Sequence, residues 1–118
     1  MSRNLRELGE IIIKFNDKRN WQKYQTPKDL VIGISTEAGE LLDHFRFKTD
    51  DDIKQILENS KRKEDIAEEA ADVLWFLLLF AERNNIDLED ALLKKLEKND
   101  KRFPVEKYTG YWEKPGRE

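Results

Sequence analysis

Residues 70–81 read AADVLWFLLLFA, and this stretch decides the fold. Asp72 is its only charged residue, and apolar residues fill both helical faces around it, which favours a helix covered on more than one side. The run is shorter than the roughly 20 apolar residues that a membrane span needs. An isolated ionised carboxylate is strongly disfavoured in a dry core. Asp72 is therefore expected to be paired, protonated or bound to a cation.

The overall composition excludes several classes of protein. With 118 residues, 40% of them charged, and a net charge of −3, the chain matches one domain with a solvated surface rather than a basic nucleic-acid binder. The absence of cysteine excludes a disulfide framework, a zinc–thiolate site and a thiol nucleophile. The first ten residues lack the apolar stretch of a signal peptide. These features predict a cytoplasmic protein with no membrane or nucleic-acid partner.

The 3.6-residue periodicity, with few glycines and prolines, predicts an all-α bundle of about four to five helices. N-cap signals stand at Thr26, at the pair Thr49 and Asp52, and at Asp87. The predicted helices are 4–18, 27–45, 51–58, 64–83 and 88–102. The segment NSKRK (59–63) is predicted to be a loop. We place one domain over residues 1–104 and a C-terminal tail over residues 105–118.

The predicted helices carry apolar stripes flanked by carboxylates. The stripe of the second helix comprises Val31, Ile34, Ala38, Leu41 and Phe45, and that of the long helix comprises Ile66, Ala70, Val73, Leu77 and Phe80. Beyond Ala70 the long helix is apolar nearly all round, so its bundle neighbours alone would leave one face uncovered. A second copy of the chain is the simplest cover, which predicts a homodimer formed through this helix.

Two carboxylate pairs share the same spacing: Glu37 with Glu40, and Glu69 with Asp72. A separation of three residues places each pair on one helix face, and pairs on two helices can converge across a bundle. Carboxylate oxygens suit Mg²⁺ or Mn²⁺. A di-iron bundle normally needs two Glu-x-x-His motifs, and the only histidine, His44, lacks a glutamate three residues earlier. The alternative is an ordinary solvated face, against which the apolar surroundings of Asp72 favour a metal site.

Three segments in order resemble the MazG-like all-α nucleoside triphosphate pyrophosphohydrolases, in particular the dCTP pyrophosphatase branch. They are WQKYQTPKDLVIGISTEAGELLDHFRFK (21–48), AEEAADVLWFLLLFA (67–81) and KKLEKNDKRFP (94–104). The resemblance implies Mg²⁺-dependent cleavage of (deoxy)nucleoside triphosphates between the α and β phosphates, and assembly into a homodimer or homotetramer. It implies Glu37, Glu40, Glu69 and Asp72 as metal ligands. Glu40 and Glu69 are the expected catalytic residues, with Glu40 as a bridging ligand or base.

The same resemblance implies substrate-binding residues. Trp21, Phe47 and Phe76 would form the base pocket, while Lys48 and the K-x-x-x-N-x-x-R residues Lys95, Asn99 and Arg102 would contact phosphates and sugar. Phe47 and Phe76 stand where dCTP-type enzymes place a tryptophan and a tyrosine, so the preferred base is left open between dCTP-like and modified nucleotides. Thr36 replaces the first of two adjacent glutamates found in many family members, which fits the dCTP-like branch.

Two other interpretations stay open. One is a non-catalytic helical interaction module that keeps the bundle without turnover. The other is a related hydrolase that acts on dUTP, phosphoribosyl-ATP or a modified nucleotide. The sequence does not choose between a role in removing non-standard nucleotides and one in balancing nucleotide pools.

Overall fold

The computed structural model describes residues 2–110, and this part of the chain is all α-helical. Six helices follow one another: α1 Leu5–Asp17, α2 Pro27–Asp43, α3 Asp50–Glu58, α4 Ser60–Arg83, α5 Leu88–Arg102 and the single turn α6 Val105–Tyr108. A 3-10 turn, Gln22–Tyr24, lies between α1 and α2. The predicted all-α fold is confirmed. The last eight residues of the predicted tail, 111–118, lie outside the described range.

The first five helices each begin at a side chain that caps the backbone. These caps are Asn4, Thr26, Thr49, Asn59 and Asp87. At α3 the capping box is complete: the Asp52 N–H donates to Thr49 Oγ1 at 3.1 Å, and the Thr49 N–H donates to Asp52 Oδ2 at 3.0 Å. Because such caps satisfy N–H groups that have no intrahelical partner, they fix where a helix starts. The predicted starts of α1, α2, α3 and α5 agree closely with the structure.

The prediction of a loop at residues 59–63 was wrong. Helix α4 already begins at Ser60, immediately after α3 ends at Glu58. Asn59 serves both helices, because its N–H reaches the last carbonyls of α3 while its side chain accepts the Arg62 N–H at 3.0 Å. One extended residue therefore suffices for the connection, and the lysines and arginine of this segment lie on the first turn of α4.

Helix α4 is the centre of the structure. Helices α1, α2 and α3 all pack against it, whereas α5 packs chiefly against α1. Few apolar residues of the described chain are buried: Leu30, Ile56, Leu78, Leu79 and Ala81. Among the helices between residues 2 and 110, none combines the length and the hydropathy of a membrane span. Within this small core, the contact between α2 and α4 is the most extensive, and it is the contact that brings the two carboxylate pairs together.

The predicted apolar stripe of α2 was wrong in part. Leu30 is buried, whereas Val31 is 49% exposed and Ala38 is also exposed. The face turned toward α4 carries Leu30, Gly33 and Glu37, which the predicted stripe did not include. The reason is Gly33: a Cβ added there would stand 2.5 Å from Cδ1 of Phe76, so the ring occupies space that only a glycine leaves free.

The predicted burial of the first half of α4 was also wrong within one chain. Ala70 and Asp72 are exposed, and the deepest burial is at Leu78, Leu79 and Ala81 near the other end of the helix. Asp72 is therefore not enclosed by a core in the single chain, and a partner or ligand would have to supply any further cover.

Candidate metal centre and nucleotide site

Three of the four predicted metal ligands converge at the α2–α4 contact. Glu37 and Glu40 on α2 and Glu69 on α4 each offer a carboxylate oxygen, and these oxygens lie within 4.8 Å of one another. Helical spacing places Glu37 and Glu40 on one face of α2. Gly33 lies one turn before Glu37, and the packing of the Phe76 ring on Gly33 brings α4, and with it Glu69, opposite this pair. Three carboxylates at such distances repel one another unless protons or cations lie between them.

The electrostatics of the cluster show this repulsion. Burial raises the pKa of Glu37 to about 7, with further contributions from its hydrogen bond to Glu40 and from the charges of Glu40, Asp72 and Glu69. Burial is also the main reason that the pKa of Glu69 is raised, again with Glu40 as hydrogen-bond partner and neighbouring charge. Glu40 therefore lies between the other two carboxylates and interacts with both.

The cluster fits a hard divalent cation. Glu37 Oε2 and Glu69 Oε2 are buried and have no hydrogen-bond partner in the part of the chain that the structure describes. Buried polar atoms are rarely left unpaired, so these two oxygens mark a place that a ligand would satisfy. The donors are all carboxylate oxygens, which Mg²⁺ and Mn²⁺ prefer over the nitrogen and sulfur ligands typical of zinc.

Asp72, the fourth predicted ligand, stands near this cluster but outside it. Its side chain is exposed and is not among the three groups that meet within 4.8 Å. Its negative charge nevertheless contributes to the raised pKa of both Glu37 and Glu69, so it lies on the same side of the bundle. Its role as a ligand stays a prediction.

His44 is a neighbour of the site that the sequence pattern did not single out. Its Nε2 lies 4.0 Å from Glu69 Oε1, and it opposes the upward shift in the pKa of Glu69. The available signal was its position four residues after Glu40, which places it on the same face of α2 at the helix end.

The predicted base-stacking residue Trp21 belongs to an aromatic cluster. Its ring meets Phe15 edge-on, with centroids 5.9 Å apart, and Phe15 meets Trp75 edge-on at 5.2 Å. Trp21 is 44% exposed and Phe15 is 38% exposed, so the cluster presents ring surface to solvent. The sequence analysis did not place Phe15 and Trp75 beside Trp21, although Trp75 follows Asp72 by one turn of α4.

Phe47 has the most unusual surroundings of the predicted site residues. Its side chain is 92% exposed, and its φ of 61° lies in the left-handed region, which a phenylalanine seldom adopts. The Arg46 guanidinium lies 4.7 Å from the ring centroid. A strained and exposed aromatic residue is more consistent with a contact surface than with a contribution to the core.

The remaining predicted residues are spread over three elements. The Phe76 ring packs on Gly33, and Lys48 lines an open recess beside α3 together with Asp52, Gln55, Ile56, Asn59 and Arg62. Lys95 is exposed on α5, whereas Asn99 and Arg102 are half-buried on that helix. Because α5 packs chiefly against α1, this triplet is not brought together with the carboxylates by the main α2–α4 contact.

The raised pKa of Glu37 predicts how the stability of the metal-free protein changes with pH. The folded pKa of about 7 exceeds the ordinary value of 4.5, so the folded state holds this proton more tightly than the unfolded state does. The resulting stabilisation is fully present below pH 4.5 and is lost as the pH rises through about 7. In EDTA, the Tm is expected to fall by several degrees over this interval. An equally steep fall in Glu37→Gln would contradict this origin.

Comparison with known proteins gives a consistent set of relatives. The sequence profile of the MazG-like family matches residues 32–116. The dCTP pyrophosphatase 1 proteins of Mus musculus and Homo sapiens are each 30% identical over 101 residues, which cover 86% of this chain and 59% of theirs. The chain thus spans about three fifths of their length. The crystal structure of a pyrophosphatase from Archaeoglobus fulgidus superposes with a TM-score of 0.79 at 38% identity, covering 88% of this chain and 95% of that one.

Proposed function

The chain belongs to the MazG-like family, and on that basis we propose that it hydrolyses (deoxy)nucleoside triphosphates between the α and β phosphates, giving a monophosphate and pyrophosphate. The observation that carries this proposal is the convergence of Glu37, Glu40 and Glu69, with two buried oxygens that have no partner in the described chain. The names of the relatives, dCTP pyrophosphatase 1 and a pyrophosphatase, support the same reaction.

Glu37, Glu40, Glu69 and Asp72 would hold the metal in this proposal. Mg²⁺, when bound, neutralises charge on the triphosphate and lowers the pKa of a coordinated water. Of the three converging carboxylates only Glu40 is exposed, and it interacts with both of the others, so it is the group best placed to accept a proton from the attacking water. Glu69 would share this catalytic work, while Glu37 would stay fixed in the α2–α4 contact.

The proposed substrate is dCTP-like or a modified deoxynucleotide. Trp21, Phe47 and Phe76 offer ring faces to a base, and the two phenylalanines have no hydrogen-bonding group with which to reject an altered one. Lys48, Lys95 and Arg102 would hold phosphates, and Asn99 the sugar. The names of the mammalian relatives support a pyrimidine deoxynucleotide, and removal of non-standard nucleotides from the pool would follow from a tolerant pocket.

We also propose that the working form is a homodimer or homotetramer. The radius of gyration of 17.9 Å exceeds the about 13–14 Å expected for a compact chain of this length. Leu92, Leu93 and Leu96 on α5 are 66%, 59% and 64% exposed. A second copy would cover such surface and could bring the α5 triplet to the carboxylates. The division at residue 104 and a cytoplasmic location stay predictions.

Product analysis tests the proposed reaction. The protein would be incubated with each of the common NTPs and dNTPs in Mg²⁺, in Mn²⁺ and in EDTA, and the products separated. Monophosphate and pyrophosphate are expected, and both should be lost in EDTA and in a folded Asp72→Asn variant. Orthophosphate release would refute α–β cleavage. If none of the nucleotides binds or reacts, the non-catalytic interaction module is favoured.

Replacing Phe47 by glycine is expected to separate function from stability. Glycine accepts a φ of 61° without strain and the exposed ring contributes little packing, so stability should be unchanged or raised by up to about 1 kcal/mol. The KM for the best nucleotide should rise on the order of tenfold or more, because base–aromatic stacking is lost. Phe47→Ala, which loses the ring and keeps the strain, is the matched control. An unchanged KM in both variants would exclude Phe47 from the base pocket.

A further inference from the structure

Arg83, the last residue of α4, is connected to the segment that carries Trp21. Its Nη2 donates to Asp17 Oδ1 and to Gln25 Oε1, both at 2.8 Å, and its Nε donates to Gln25 Oε1 at 3.2 Å. Asp17 ends α1 and Gln25 precedes the cap of α2, so one guanidinium joins both ends of the connection between these helices. The Arg83 side chain is only 20% exposed, and charged hydrogen bonds at such a position are stronger than those on an open surface.

The same network continues into a buried asparagine. Gln25 Nε2 donates to Asn16 Oδ1 at 2.7 Å, and Asn16 Nδ2 donates to the Ile12 carbonyl at 2.8 Å. Asn16 is 1% exposed, so its position in α1 is fixed. The backbone carbonyl of Asn16 also accepts the Trp21 backbone N–H at 3.1 Å. Asn16 therefore holds the backbone of Trp21, and the Asn16 side chain is the last member of the hydrogen-bond network that starts at Arg83.

The other contacts of the segment are local: Arg19 Nη1 donates to the Phe15 carbonyl at 2.8 Å, and the Arg19 guanidinium lies 3.6 Å from the Phe15 ring centroid and 5.9 Å from that of Trp21. Residues 18–24 are all exposed, and Asn20 adopts a left-handed φ of 55°. The Trp21 ring contacts Phe15 edge-on, and Phe15 contacts Trp75, which stands one turn beyond Asp72 on α4. Two sets of contacts thus connect the segment to α4: the aromatic contacts at its middle, and the Arg83 network at its two ends.

We propose that Arg83 is a positioning residue that sets the place of Trp21 relative to the carboxylate side of α4, and thereby nucleotide affinity and base selectivity. The inference rests on the proposed function, in which Trp21 stacks on the base. Arg83 touches neither substrate nor metal in this proposal and acts only through the 17–25 connection. Its two-pronged contact needs a planar guanidinium, which lysine cannot replace fully.

Steady-state kinetics of Arg83→Gln with the best nucleotide tests the inference. The KM is expected to rise on the order of tenfold, since a side chain in the pocket is misplaced, while kcat stays within about twofold because the carboxylates are untouched. The ratio of kcat/KM between the best nucleotide and nucleotides with other bases should decrease. Arg83→Lys should lie between wild type and Arg83→Gln. Arg6→Gln, which removes an exposed arginine paired with Glu10 at 4.0 Å, is the control and should match wild type.

A double-variant cycle distinguishes positioning from a general loss of stability. In a Trp21→Ala background, Arg83→Gln should cause no further rise in KM, because the residue through which it acts is gone. Equal effects in both backgrounds would overturn the inference, as would an unchanged KM in a folded Arg83→Gln. If Arg83→Gln fails to fold, Gln25→Ala carries the same test. If the wild type is active and one of these contradicting results is obtained, only the inference about Arg83 is overturned and the proposed function stands. If the wild type yields no pyrophosphate, the proposed function is refuted and the inference with it.

Discussion

Replacement of Glu37 by glutamine is expected to stabilise the metal-free protein and to remove most of its turnover. Burial and three neighbouring carboxylates raise the pKa of Glu37 to about 7, so above that pH its ionised form works against folding. Glutamine keeps the size of the side chain and removes the charge, which should add on the order of 1 kcal/mol to the free energy of unfolding at pH 8 in EDTA. The same change removes an anionic metal ligand and should lower kcat roughly 10²–10³-fold.

Two measurements made on one preparation test this opposition of effects. Thermal unfolding at pH 8 in EDTA reports the stabilisation, and pyrophosphate release in Mg²⁺ reports the loss of turnover. Added Mg²⁺ or Mn²⁺ should raise the Tm of wild type and leave that of Glu37→Gln nearly unchanged. Glu68→Gln, an exposed glutamate beside Glu69 on α4, serves as the control and should change neither quantity. A destabilised Glu37→Gln, or one with normal turnover, would contradict the proposed metal centre.

Substitution of Gly33 by alanine is expected to damage both the fold and the site. The new Cβ would stand 2.5 Å from Cδ1 and 2.6 Å from Cε1 of Phe76, distances that no packing arrangement tolerates. The ring must move or the helices must separate, and overpacking of this kind costs about 2 kcal/mol. That corresponds to a decrease in Tm of roughly 10 °C. Because Glu37 lies one turn further along α2, separated helices would also weaken metal binding and turnover at temperatures where the protein stays folded.

Gly39 provides the matched control for this substitution. It lies on the same helix, and a Cβ added there meets nothing within 4 Å. Gly39→Ala should therefore be neutral or stabilising by up to about 1 kcal/mol, through helix propensity alone. The double variant Gly33→Ala with Phe76→Leu should recover part of the lost stability, since the smaller side chain relieves the clash. Equal stability of Gly33→Ala and Gly39→Ala would refute the close α2–α4 contact as the determinant of the site.

Part of the site was predictable because its signals are local. The spacing of Glu37 with Glu40 on α2 fixes a shared face without reference to any other helix, and the same holds for Glu69 with Asp72 on α4. What spacing left open was how the two faces meet. The structure brings three of these carboxylates together and leaves Asp72 exposed beside them. It also adds His44, which faces Glu69 from the end of α2.

The sequence by itself determined the helices and most of their starting points, because capping and periodicity act within about four residues. Tertiary structure alone decided how each helix is turned. Because Gly33 has no side chain, the Phe76 ring packs directly against α2 at this point. With Gly33 facing α4, Val31 faces solvent and Glu37 faces α4. It also decided the long-range contacts of Arg83 with Asp17 and Gln25, since residues that far apart in sequence meet only through the packing of whole helices. Packing depends on the shapes of two surfaces at once, and a pattern read along one helix contains only one of them.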